Sequence, residues 1–162
     1  MKTLKALSII LLVLVSIQKG YSQNMNNDKL GKILYVLADS IEGVPGNWKF
    51  KIQDRTFLCL TDEYHNRMRI VSPIIEQDKL SYPDLIKSLT ANFHTVLDVK
   101  YALSDEILWS VFIHPLKELT KNQVIDAVEQ VYSAANTYGS VFSSTNLVFP
   151  NKKQTPSSIK KQ

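Results

Sequence analysis

The chain predicts an α+β fold. Three stretches carry apolar residues at helical spacing, five carry strand alternation or short apolar runs, and turn residues fall between them. The expected order is α-β-β-β-α-β-β-α, an antiparallel sheet with helices packed on one face. Leu30, Ile33, Leu34, Leu37 and Ile41 share one helical face, with Asn27 as N-cap and Gly43 as stop, which gives the first helix. Val44-Pro45-Gly46-Asn47 turns the chain. Trp48 to Ile52 then alternates strictly, with Trp48, Phe50 and Ile52 on one side and Lys49 and Lys51 on the other. After Asp54-Arg55, the run Thr56 to Thr61 is apolar on both faces, as a central strand requires. Arg67 to Val71 alternates again, aiming Met68 and Ile70 one way and Arg67 and Arg69 the other, until Pro73 limits pairing.

The second helix opens at Ser81-Tyr82-Pro83-Asp84, where a capping serine, an early proline and an acid in the first turn coincide. Leu85, Ile86, Leu89 and Phe93 are its expected buried stripe. Val99 to Leu103 and Ile107 to Ile113 form a hairpin across Ser104-Asp105-Glu106, closed by His114-Pro115. Thr120 stands three residues before Gln123, the spacing of a capping box. Val124, Ala127, Val128, Val131 and Ala135 line the third helix up to Gly139. Phe142 to Phe149 reads as coil.

Lys2 and Lys5 precede an apolar run from Ala6 to Ile17, and Gly20-Tyr21-Ser22 offers small residues around a cut. This is the pattern of a signal peptide over residues 1–22. The run is far shorter than the ~20 residues that span a bilayer, so the mature protein is expected to be soluble and exported, periplasmic or secreted. Residues 23–150 form one domain by size. Residues 151–162 mix Lys, Gln, Pro and Ser and are expected to be a disordered basic tail.

The whole chain carries 19 bases against 15 acids, or +4. Loss of Lys2, Lys5 and Lys19 leaves 16 bases and +1, while residues 23–150 hold 12 bases against all 15 acids, or −3. A nucleic-acid binder needs its positive charge as a patch on the folded domain, so nucleic acid is excluded as a partner. Cys59, the single cysteine, permits no intramolecular disulfide and no cysteine metal cluster; its apolar setting predicts a buried, inert thiol.

Neither a nucleophile turn nor a phosphate-cradling loop is present. His65, His94 and His114 are too far apart in sequence for a local metal motif. They leave open one alternative, a small periplasmic metal-dependent hydrolase centred on His94 or His114. No cofactor is implied. Asp62-Glu63 and Asp105-Glu106 read as solvated turn acids.

Two surfaces are candidates for binding a protein or peptide. Lys49, Lys51, Arg67 and Arg69 occupy the outward phase of their strands and fit either a solvated sheet face or a surface for an acidic peptide. In the hairpin, both phases carry large apolar groups. Trp109, Val111 and Ile113 therefore either lie beneath a cover such as Phe142 to Phe149 or form a homodimer interface.

A first helix opening on Leu-x-x-Ile-Leu, a meander, Leu85-Ile86-x-x-Leu89-x-x-Asn92-Phe93, a hairpin ending in His114-Pro115-Leu116, and Leu119-Thr120 before a long helix resemble the YbjN-like, type III secretion chaperone-like family. The resemblance runs from about Asn27 to Phe149. It implies a non-catalytic protein-binding module, often a homodimer, whose chaperone members act in the cytosol on unfolded client segments. The leader on this chain points to a different compartment.

Overall fold

A computed structural model describes residues 24–145. The leader, the tail and the part of Phe142 to Phe149 beyond Thr145 lie outside the described residues. The elements run α1 (Asn27–Leu37), β1 (Ser40–Val44), β2 (Asn47–Ile52), β3 (Arg55–Asp62), β4 (Arg67–Glu76), α2 (Tyr82–His94), β5 (Val99–Ser104), β6 (Ile107–His114) and α3 (Lys121–Thr137), with a short 3-10 turn at Gln77–Lys79. The fold is α+β. All six strands pair antiparallel in the order β1-β2-β3-β4-β6-β5.

The sheet has one strand more than the sequence predicts, because α1 ends at Leu37. Ile41 matches the helical spacing by coincidence. It lies in β1 opposite Phe50, and Pro45-Gly46 is the turn of a β1–β2 hairpin. Gly43 stops no helix. Its φ of +119° belongs to that hairpin, where a Cβ would stand 2.2 Å from the Asn47 carbonyl oxygen. The N-cap of α1 is Asn26, which accepts from the Lys29 N–H at 2.9 Å; Asn27 is the first helical residue and accepts from the Thr61 hydroxyl at 2.5 Å. β4 continues through Pro73 to Glu76, with its pairing to β6 slipping between Pro73 and Ile75.

One sheet face carries the core. Trp48, Phe50, Phe57, Cys59, Met68, Ile70, Leu108 and Phe112 are all buried on it. α1 packs against β1 and β2, with Gly31 close over the Trp48 ring, and α3 packs on β4, β6 and β5. α3 opens on the expected capping box between Thr120 and Gln123 and buries Val124, Ala127, Val128, Gln130, Val131, Ala134 and Ala135. Two polar side chains tie α3 down: the Ser110 hydroxyl donates to the Val131 carbonyl at 3.0 Å, and the Tyr101 hydroxyl to the Ala134 carbonyl at 2.8 Å. Beyond α3, Phe142 turns back with a φ of +54° and buries its ring against Tyr101 and Tyr138.

Candidate functional site

Strand alternation sends every second side chain to the opposite sheet face, and the register places those residues in rows. Leu60, Arg69 and Ile113 stand side by side across β3, β4 and β6. The next row is Glu42, Lys49, Leu58, Val71, Val111 and Lys100, reaching from β1 to β5. Lys51 opposes Thr56, Trp109 opposes Pro73, and Arg67 opposes Asp62. Lys49, Lys51, Arg67 and Arg69 therefore share one face with Trp109, Val111 and Ile113. The two candidate surfaces are one surface.

Its middle is apolar with Arg69 set between Leu60 and Ile113, and its margins mix charges, Lys49 beside Glu42 and Arg67 opposite Asp62. Val71 is buried, Leu58, Trp109 and Val111 are half-buried, and Leu60 and Ile113 are exposed. The segment Phe142 to Thr145 leaves this face open, since Phe142 packs on Tyr101, whose side chain belongs to the core face. The Trp109 indole N–H is satisfied by the Ser104 carbonyl at 3.0 Å. Lys49 pairs with Glu42 at 2.9 Å, and hydrogen bonding from that lysine holds the Glu42 carboxyl below its usual range. The Lys100 ammonium is bound to the carbonyls of Leu97 and Val99, and partial burial lowers its pKa. Arg67 donates to the Asn66 carbonyl at 3.3 Å. Neither Arg69 nor Lys51 has an ion pair among the described residues.

A second exposed surface escaped the sequence reading. Three of the four residues assigned to the core side of α2 face solvent: Ile86 is 43%, Leu89 57% and Phe93 83% exposed, continued by Tyr82 at 74%, while Leu85 is half-buried. The side of α2 turned to the protein carries Ser88, Ala91 and Asn92 instead. Asn92 explains the orientation. Its side-chain oxygen accepts from the Tyr101 N–H at 2.7 Å and its amide donates to the Tyr101 carbonyl at 3.2 Å, completing the unpaired edge of β5. A small serine, an alanine and an asparagine at helical spacing were the signal that this side could meet a strand edge.

The histidines do not converge. His65 contacts Asp62 at 2.6 Å in the β3–β4 turn, and the backbone hydrogen bond from His65 is the main cause of the lowered Asp62 pKa. His94 ends α2 beside the Phe93 ring, while His114 stacks on Phe112 with Nδ1 2.7 Å from the Pro115 carbonyl oxygen. Among the described residues, no three His, Cys, Asp or Glu side chains come together as metal ligands. Burial pushes the Cys59 thiol up to about 12, so it is protonated and unreactive at neutral pH.

No family model matches this chain, and no curated protein matches it. Among solved structures, it is similar to a chain in the HopA1-SchA chaperone-effector complex, with a TM-score of 0.52 at 9% identity over 69% of this chain and 88% of that one. The fold is type III secretion chaperone-like. At such low identity the likeness is one of fold.

Proposed function

We propose that this chain is an exported, non-enzymatic module that binds an extended, acidic and apolar segment of a protein partner across the outer sheet face. One observation carries the reading: Lys49, Lys51, Arg67 and Arg69 share a single face with the apolar group of Leu58, Leu60, Val71, Val111 and Ile113, Arg69 standing between Leu60 and Ile113. The apolar centre supplies area to bury, and the guanidinium groups of Arg67 and Arg69 are shaped to grip carboxylates through paired hydrogen bonds. The secretion-chaperone-like fold supports a protein partner. Export rests on the leader pattern of residues 1–22, which leaves residues 23–150 as the working domain. The same proposal has the module working as a homodimer, for which the hairpin residues Trp109, Val111 and Ile113 on this face are the expected contacts.

The test is fluorescence anisotropy of a labelled peptide that alternates Glu with Leu and Val, titrated with the chain lacking its leader. Binding should weaken as salt is raised and fall roughly tenfold or more in the Arg67→Ala/Arg69→Ala variant. The same peptide with Lys for Glu should not bind. Equal binding of both peptides, or no loss in the double variant, removes the sheet-face reading. Export is tested separately by N-terminal sequencing of the protein from the envelope or medium, which should begin near Gln23; an uncut chain confined to the cytosol overturns it.

A further inference from the structure

We infer that the chain's own C-terminal segment, residues 146–153, lies as a strap in the groove between α3 and the open end of the β5–β6 hairpin. The groove exists because β6 outruns β5: Val99 pairs with Phe112, while Ile113 and His114 continue with no β5 residue beside them. It has a volume of about 410 Å³. Leu97, Phe112, Ile113 and Leu119 give it an apolar lining, and the exposed Asp98 and Asp126 add two carboxylates.

The path of the chain names the occupant. After Phe142 packs on Tyr101 and Tyr138, the Ser143 hydroxyl and the Ser144 N–H both donate to the Thr95 carbonyl at 3.2 Å, and the Ser144 hydroxyl donates to Gln130 Oε1 at 3.5 Å. Gln130 is the link. Its oxygen also accepts from the Asp98 N–H at 3.3 Å, and its amide donates to Asp126 at 2.7 Å and to Asp98 at 3.4 Å, so Ser144 and both carboxylates of the groove share one side chain. Residues 146–150 reach up to about 17 Å when extended, whereas α3 rises only about 10 Å from Gln130 back to Gln123, which also lines the groove. The segment is long enough.

Its chemistry fits as well. Leu147 and Phe149 fall on one side of an extended run, Pro150 ends that run, and Lys152 and Lys153 follow. Residues 140–162 hold no Asp or Glu. In the groove, neither Asp98 nor Asp126 has an ion pair among the described residues, and the one lysine, Lys100, is bound to the carbonyls of Leu97 and Val99. An apolar and basic segment therefore matches this groove, and an acidic one does not. Because Ile113 belongs both to the groove and to the outer sheet face, the strap fixes one end of the surface left to a partner.

Nuclear magnetic resonance of the chain lacking its leader tests this, with circular dichroism confirming that each variant is folded. A nitroxide attached to Gln123→Cys, the native Cys59 being buried, should broaden the amide signals of Leu147, Val148 and Phe149. The same label on Gln77→Cys, at the turn end of the hairpin, should not. Amide exchange at those three residues should be slower by roughly tenfold or more than in a free peptide of residues 146–153, and equally so at low and high protein concentration. Leu147→Asp/Phe149→Asp should abolish the broadening and the protection, since it sets carboxylates against an apolar wall. Asp126→Lys, an exposed change, should reduce both, and so should added salt. Exchange at the free-peptide rate overturns the strap. Protection that grows with concentration overturns it too, because the occupant is then a second copy, and protection without broadening from Gln123 does so by seating the segment elsewhere.

Discussion

α2 and α3 are built from the same local instructions yet face opposite ways. Both begin with a hydroxyl N-cap, Ser81 for α2 and Thr120 for α3, and both carry an apolar stripe. α3 buries its stripe over β4, β5 and β6, while α2 turns its stripe to solvent and offers Ser88, Ala91 and Asn92 to the rest of the chain. Amphipathicity therefore announces that a helix has a partner without saying whether that partner is in the same chain. What decides is the competing demand of the neighbour: β5 is an edge strand with unpaired backbone groups, and a polar side chain answers it better than leucine does.

The largest test of this contrast places the same charge in both stripes. Val131 in α3 is fully buried, so Val131→Asp puts a carboxylate among apolar side chains with no partner. The cost, on the order of 4 kcal/mol or more, is comparable with the whole stability of a domain this size, and the far-UV dichroism of a folded protein should be lost. Leu89→Asp in α2 should leave that spectrum intact and the monomer's denaturant midpoint nearly unchanged, within about 0.5 kcal/mol. If Leu89→Asp also unfolds the monomer, α2 packs inward and the contrast fails.

A smaller effect is expected where α2 meets β5. Asn92→Ala leaves the Tyr101 N–H and carbonyl without their side-chain partner, which should cost about 1–3 kcal/mol by denaturant titration. Hydrogen exchange at the Tyr101 amide should rise in that variant. Unchanged protection would mean that β5 is covered by something other than Asn92.

What the sequence disclosed and what it withheld divide along this line. The Thr120–Gln123 box, the cap at Ser81 and the alternation of Trp48, Phe50 and Ile52 were legible because each depends on neighbours a few residues away. Ile41 misled because it stands four residues after Leu37, so one apolar side chain fitted both a helix and a strand. Alternation also gave the correct phase for Arg69 and for Ile113, but not their adjacency. That depends on β4 pairing with β6 across the intervening α2 and β5, a long-range register no local pattern encodes. For α2, the spacing of Ile86, Leu89 and Phe93 was read correctly as a stripe. Its direction depended on Asn92 and an edge strand seven residues away.

The smallest effect, and the one that separates the two helices most cleanly, lies in Tyr101. Its backbone is held by α2 through Asn92, and its hydroxyl by α3 through the Ala134 carbonyl. Burial raises the phenol from its ordinary 10.0 to about 12. The folded state thus keeps a proton that the unfolded chain has lost between those values. The contribution is whole below pH 10.0 and drains away as pH rises toward about 12, so stability should fall with alkalinity over that window. Tyr101→Phe should cost about 1 kcal/mol at neutral pH, the worth of one hydrogen bond, and flatten the alkaline decline. Cys59, raised from 9.0 to about 12 by burial, adds a fall of the same sign that starts one unit lower and persists in the phenylalanine variant. Asn92→Ala should lower stability equally at neutral and alkaline pH, because an amide does not titrate. A pH-independent loss from the α2 side and a pH-dependent one from the α3 side would show that one tyrosine joins two helices by separate means; identical profiles for the two variants would show that it does not.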